Sequence, residues 1–156
     1  MRALVQRVAR ARVTVEGRVT GEIGPGLLVL LGAAHADGEE QAAWLARKLA
    51  GLRIFGDAEG LMNLDVRQAG GAALVVPQFT LDGEARRGRR PDFTGAARPA
   101  EAEPLFERLC ALLALQGVPV QRGVFGAHMA VELLNDGPVT LLIETPAADP
   151  ARAEAG

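Results

Sequence analysis

Apolar and polar positions alternate through the first two dozen residues. Residues 2–8 alternate weakly, and 12–16 with 18–23 flank a Glu16-Gly17 turn, so this stretch predicts strands joined by hairpins. Residues 26–32 (GLLVLLG) are apolar throughout, which for a short run bounded by glycines predicts a strand buried on both faces. The period then changes. Asp37 followed by Glu40 is a capping-box pattern, and Ala42, Leu45, Leu49 and Leu52 recur at helical spacing behind it, predicting a helix over about 38–50 that stops at Gly51.

Residues 52–55 and 72–79 read as further strands around a polar, glycine-rich connection containing Met62 and Asn63. A second helix starts between Pro99 and Pro104, presents Leu105, Leu109, Leu112 and Leu113 on one face, and ends at Gly117. Residues 118–121, 128–134 and 139–144 supply late strands. Strands, helix, strands, helix, strands, without regular βαβ alternation, predict an α+β fold: a curled, partly barrel-like, mainly antiparallel sheet with two helices. Residues 1–144 form one domain, and 145–156 (TPAADPARAEAG) read as a frayed tail.

Composition narrows the chemistry. The 156 residues are 49% hydrophobic and 23% charged, as in a chain with a real core. A lone cysteine forms no internal disulfide, and neither a signal-type apolar stretch nor a run of about 20 apolar residues occurs, so a cytoplasmic protein without membrane contact is expected. The sequence contains no serine and no tyrosine, which excludes a Ser-His-Asp hydrolase and phenol chemistry. What remains is Cys110, Lys48, His35, His128, six threonines and the carboxylates. Cys110 lies mid-helix beside Leu109 and reads as a small buried hydrophobe. The histidines have no ligand spacing, so neither a metal nor another cofactor is expected. The glycines at 21, 24 and 26 lack the ending of a phosphate loop and read as turns.

Net charge is −2, yet Arg2, Arg7, Arg10, Arg12 and Arg18 face only Glu16 within the first 20 residues, and residues 86–90 read Arg-Arg-Gly-Arg-Arg. Arginine forks suit phosphates and bases, although genome composition can produce the same bias. Pro77-Gln78-Phe79-Thr80-Leu81 breaks an apolar strand, either as an edge-strand end or as a site. Asn135-Asp136-Gly137-Pro138-Val139-Thr140 reads as a turn between strands, an ordinary hairpin or one with a cis Gly-Pro bond. Arg89-Arg90-Pro91-Asp92-Phe93 is a solvated loop or a phosphate contact. Phe125, among glycines, either stacks a base or plugs the core.

In combination and order, these segments resemble the D-aminoacyl-tRNA deacylase family, from Met1 to about Glu144. Val5-Gln6-Arg7-Val8, Leu52-Arg53-Ile54-Phe55, Met62-Asn63-Leu64, Arg90-Pro91-Asp92-Phe93 and Phe125-Gly126-Ala127-His128-Met129 support the likeness. The Gln78-Phe79-Thr80-Leu81 and Asn135-to-Thr140 stretches are its specific motifs. The resemblance implies a homodimer in which a cis Gly137-Pro138 peptide enters the partner's pocket, meets the substrate's α-amino end and leaves no room for an L side chain. Arg7 matches an arginine that holds this peptide. It also implies action on glycine mischarged to alanine tRNA. Two positions depart from the family's usual pattern: Pro77 stands in place of serine, as in a sister group of tRNA deacylases with relaxed chirality that lacks the phenylalanine at 79, and His128 stands in place of aspartate.

The expected reaction is hydrolysis of the aminoacyl ester at the tRNA 3′-terminal adenosine, a translational proofreading step. An activated ester needs placement and oxyanion stabilisation more than a strong nucleophile. Gln78, Phe79 and Thr80 are the expected catalytic segment, with the N–H groups of Phe79 and Thr80 polarising the carbonyl or positioning water while the ribose 2′-hydroxyl assists. Thr80 as covalent nucleophile is the weaker option, since no activating base is evident. Gly137, Pro138, Arg7 and Pro77 are expected to select the substrate's hand, and Phe125 and Met129 to hold the adenine. The alternatives are a deacylase of relaxed chirality acting on glycyl or L-alanyl esters and a non-catalytic RNA-binding module.

Overall fold

The structure is a computed structural model that describes residues 1–86 and 88–147. Its organising element is β1 (Arg2–Val15), one strand where the alternation suggested two. The strand is continuous because its partners are. β8 (Ala130–Glu144) runs antiparallel along its whole length, from Arg2↔Glu144 to Thr14↔Ala130. Its other edge is shared by β2 (Arg18–Ile23), which returns through a turn with positive φ at Glu16 and Gly17, and by β3 (Gly26–Gly32). Beyond β3 lie β6 (Ala72–Pro77) and β7 (Val120–Arg122), both parallel to their neighbours. The sheet is mixed, with more antiparallel than parallel pairings. It curls until β2 approaches β7: a Cβ on Gly21 would lie 2.8 Å from the Arg122 carbonyl oxygen, so this glycine serves close approach and not a phosphate loop.

Both faces of the central strands are buried, which explains the unbroken apolar run at 26–32. Val5, Leu27, Val29, Ala73 and Val75 face a cluster shared with the helices, whereas Val8, Val13, Leu28, Leu74 and Val76 form a second cluster inside the curl. Helix α1 (Glu39–Ala50) buries Leu45 and Leu49, and α2 (Pro99–Leu115) buries Phe106, Leu109 and Leu113. The cap of α1 is one residue later than expected. The Gly38 N–H donates to Gln41 Oε1 at 3.0 Å, while Asp37 Oδ2 accepts from the Ala34 N–H.

Three further expectations are corrected. Residues 52–54 are irregular, and only β4 (Phe55–Gly56) pairs, with β5 (Met62–Leu64), in a separate ribbon. Ile54 and Phe55 are buried because they pack under the helices, not because they join the sheet. The strand expected over 72–79 stops at Pro77 and becomes a 3-10 turn, Phe79–Asp82. The late strands expected at 128–134 and 139–144 are a single strand, β8, so the Gly-Pro stretch is no hairpin turn. Of the stretch read as a tail, the Thr145 N–H is held by the Met1 carbonyl, and residues 148–156 lie outside the described residues. Among the described residues no helix is long and apolar enough to cross a membrane.

Candidate active site

Proline closes β6 where the sheet can accept it. Ladder pairing with β7 ends at Val75↔Arg122, and on the other side the Gln78 N–H, not that of residue 77, bonds the Leu31 carbonyl at 2.7 Å. Pro77 therefore costs no hydrogen bond. It ends an interior strand, so the edge-strand explanation does not hold. The chain then tightens into the 3-10 turn, whose first donors have no carbonyl behind them. Among the described residues, the N–H groups of Phe79 and Thr80 donate to nothing. The turn is held from outside: the Gln78 side-chain amide donates to Thr80 Oγ1, and the Phe79 ring meets Phe93 edge to face, centroids 5.3 Å apart.

Phe79 stands at a cavity of about 610 Å³, and Thr80 follows it just outside the lining. Pro77, Gln78, Phe79, Phe125 and Met129 all line it, as do Phe93 and Phe106, to which no site role was assigned from the sequence. Phe125 packs into the core and faces the cavity at once. Its ring packs 6.2 Å from Phe106 against the helix-side core and also walls the cavity. Met129 accepts the Val124 N–H at its sulfur, 3.4 Å away. Thr80 is exposed, does not line the cavity, and has no histidine, lysine or carboxylate bonded to its hydroxyl. Cys110 is fully buried and its thiol is pushed up to about 12 by burial, so it is no nucleophile at neutral pH.

Arg7, Gly137 and Pro138 form a second group that does not line this cavity. Pairing of β1 with β8 jumps from Gln6↔Thr140 to Val8↔Asn135, so the single residue Arg7 faces the stretch Asp136, Gly137, Pro138 and Val139. That stretch bulges out of the strand, and the Gly137-Pro138 bond is cis. Arg7 reaches across the gap. Its Nε donates to the Asp136 carbonyl at 2.9 Å and its Nη1 to the Ile54 carbonyl at 2.6 Å. Gly137 has φ +131°, and a Cβ there would lie 2.7 Å from Arg7 Nη2. An arginine end group could ordinarily move aside, but this one is pinned by two carbonyls.

Asn135, part of the Asn135-to-Thr140 motif, closes the bulge. Its Oδ1 accepts from the Val139 N–H at 3.0 Å, and its Nδ2 donates to Thr140 Oγ1 at 3.1 Å, where Gln6 also donates. An asparagine bonding its own backbone a few residues on is a known turn-former, and that was the available signal. The basic loop is tied at its base by the Glu84 and Asp92 backbones, at 2.7 and 2.9 Å, leaving Arg89 and Arg90 exposed; Arg87 lies outside the described residues.

A family model for D-Tyr-tRNA(Tyr) deacylase matches residues 4–144. A D-aminoacyl-tRNA deacylase of Symbiobacterium thermophilum is 58% identical over 145 residues, 93% of this chain and 96% of that protein. One from Ruegeria pomeroyi is 60% identical over 144 residues, 92% of this chain and 99% of that protein. Among solved structures, a c-Myc DNA unwinding element binding protein superposes with a TM-score of 0.88 at 38% identity, covering 94% of this chain and all of that one. With the family model matching residues 4–144 and relatives of this identity matched almost end to end, the chain belongs to the D-Tyr-tRNA(Tyr) deacylase family.

Proposed function

We propose that this chain hydrolyses the ester between a D-amino acid and the 3′-terminal adenosine of tRNA, releasing the free amino acid and the tRNA in the cytoplasm. The observation that carries the mechanism is the pair of adjacent unpartnered N–H groups at Phe79, which lines the cavity, and at Thr80, the next residue along the turn. Water adds to the ester carbonyl, the developing oxyanion takes these hydrogen bonds, and the C–O bond to ribose then breaks as a proton passes to the departing 3′-oxygen. The substrate's 2′-hydroxyl is placed to assist that proton transfer. A donor aimed at the oxyanion contributes about 2.7–4 kcal/mol, roughly a hundredfold to a thousandfold in rate. The Thr80 hydroxyl, engaged by Gln78, serves to hold the turn.

The cis Gly137-Pro138 peptide acts as the chiral filter, and it does so in the partner's cavity. Two features support a homodimer with shared sites: the peptide is exposed and does not line the cavity of its own chain, and Leu133, Leu134, Leu141 and Leu142 on the same strand are exposed. Glycine has no side chain to reject, so glycyl esters pass the same filter. The arrangement favours catalysis over a silent RNA-binding module, because such a module has no use for free donors at an apolar pocket.

Substituting Phe79 in two ways tests the mechanism. Phe79→Ala removes the ring and keeps the N–H, whereas Phe79→Pro removes both, at the first position of a turn where proline is tolerated. On D-tyrosyl-tRNA the proline variant is expected to be slower than the alanine variant by about a hundredfold or more. Equal rates would contradict the main-chain account, and wild-type protein that spares D-tyrosyl-tRNA would contradict the function.

A further inference from the structure

Apart from Gln78, the side chains lining the cavity are apolar except at two positions, Arg98 and His128. Among the described residues no aspartate or glutamate lines it, in a chain whose net charge is −2. Arg98 sits at the entrance to α2, and its exposed guanidinium has no ion-pair partner among the described residues. This is unlike Arg12, Arg67, Arg108 and Arg122, each paired with a carboxylate. The carboxylate nearest in sequence is engaged elsewhere. Glu101 accepts the Arg98 backbone N–H at 3.3 Å and His35 Nδ1 at 3.2 Å, so it caps the helix and leaves the guanidinium free. His128, on the loop that also carries Phe125, is exposed and has an N–H to donate in either protonation state.

We propose that Arg98 and His128 form an anion subsite on the cavity wall that takes the phosphodiester joining the terminal adenosine to the nucleotide before it. The inference rests on reading the cavity as the aminoacyl-adenosine pocket. About 610 Å³ walled by four phenylalanines suits one nucleoside, and the free N–H groups fix where its ester lies. The group that leaves such a nucleoside in the other direction is a phosphate. An arginine fork meets it with two parallel hydrogen bonds, and a charge-assisted pair of this kind is worth about a tenfold change in affinity. The subsite makes the enzyme sensitive to attachment of the adenosine to a polynucleotide, without reading any base.

The test compares binding of adenosine with that of the dinucleotide CpA, which adds one phosphodiester and a cytidine, by calorimetry on the full chain, with the Arg98 and His128 variants separating the phosphate from the base. Wild-type protein is expected to bind CpA about tenfold more tightly. In Arg98→Ala, and more completely in Arg98→Ala combined with His128→Gln, the two affinities converge, while Arg98→Lys keeps most of the preference. Fraying of α2 alone would weaken both ligands together and preserve the ratio, which would overturn the assignment. So would a wild-type protein that binds the two equally. If adenosine does not bind and D-tyrosyl esters of neither adenosine nor CpA are hydrolysed, the deacylase reading falls and the subsite with it. Hydrolysis of both esters without a phosphate preference overturns the subsite alone.

Discussion

At the scale of single residues, the site depends on groups that are short of room or short of partners. Gly137 is the first kind. With φ at +131° and Arg7 Nη2 only 2.7 Å from where a Cβ would be, Gly137→Ala must displace either the peptide or its clamp. The bulge is exposed, so the melting temperature should shift by a few degrees at most, whereas D-tyrosyl-tRNA hydrolysis should fall by about a hundredfold, the usual consequence of a misplacement near 1 Å. Asp82, at the end of the 3-10 turn, is the second kind. Its side chain is 6% exposed, its Oδ2 has no hydrogen-bond partner, and Arg2 stands 3.8 Å away. Burial raises its pKa above the ordinary 3.8; Asp37 and Glu144 add to the rise, and Arg2 and the N-terminal amine oppose it. The folded chain therefore holds this proton more tightly than the unfolded one. The stabilisation is complete below the ordinary carboxylate value and is lost as pH rises through the raised one. Asp82→Asn should thus be more stable than wild type at pH 7, with the difference shrinking as pH falls through the raised value and lost only below the ordinary carboxylate value, in denaturant titrations.

Elements differ in how far the sequence reveals them, and the difference follows the range of the interactions that fix them. Both helices are legible because their apolar spacing and end signals are local, and Gly51, Pro99 and Gly117 bound them. The twofold burial of β3 is legible for the same reason. The β8 bulge is not. Asn-Asp-Gly-Pro is a local turn signal, and only pairing with β1, more than 100 residues earlier, keeps the chain extended on both sides of it. The 3-10 turn is half legible: the break at Pro77 is visible, but which donors stay free depends on where β7 stops. Asn135 follows from this view of the bulge as a positioning residue. Asn135→Ala frees the Val139 N–H and should lower the rate on D-tyrosyl-tRNA about tenfold while leaving the circular dichroism spectrum intact.

For the whole molecule, the cavity and the cis peptide are two halves that do not meet within one chain. The main-chain donors lie on the 3-10 turn and the cis peptide on a strand that carries exposed leucines, and under the proposed mechanism neither half calls on a serine or tyrosine, which the sequence lacks. In the proposed twofold dimer, the turn of one copy would meet the Gly-Pro peptide of the other, twice. Co-expression of Gly137→Ala and Phe79→Pro chains with different tags examines this directly. Each variant alone lacks one half of every site. In a mixed dimer, the intact turn of the first chain faces the intact peptide of the second, so one site of two is restored. Random pairing of equal amounts should return about a quarter of the wild-type rate on D-tyrosyl-tRNA. Purified mixed dimers no more active than either parent would contradict a site shared between two copies.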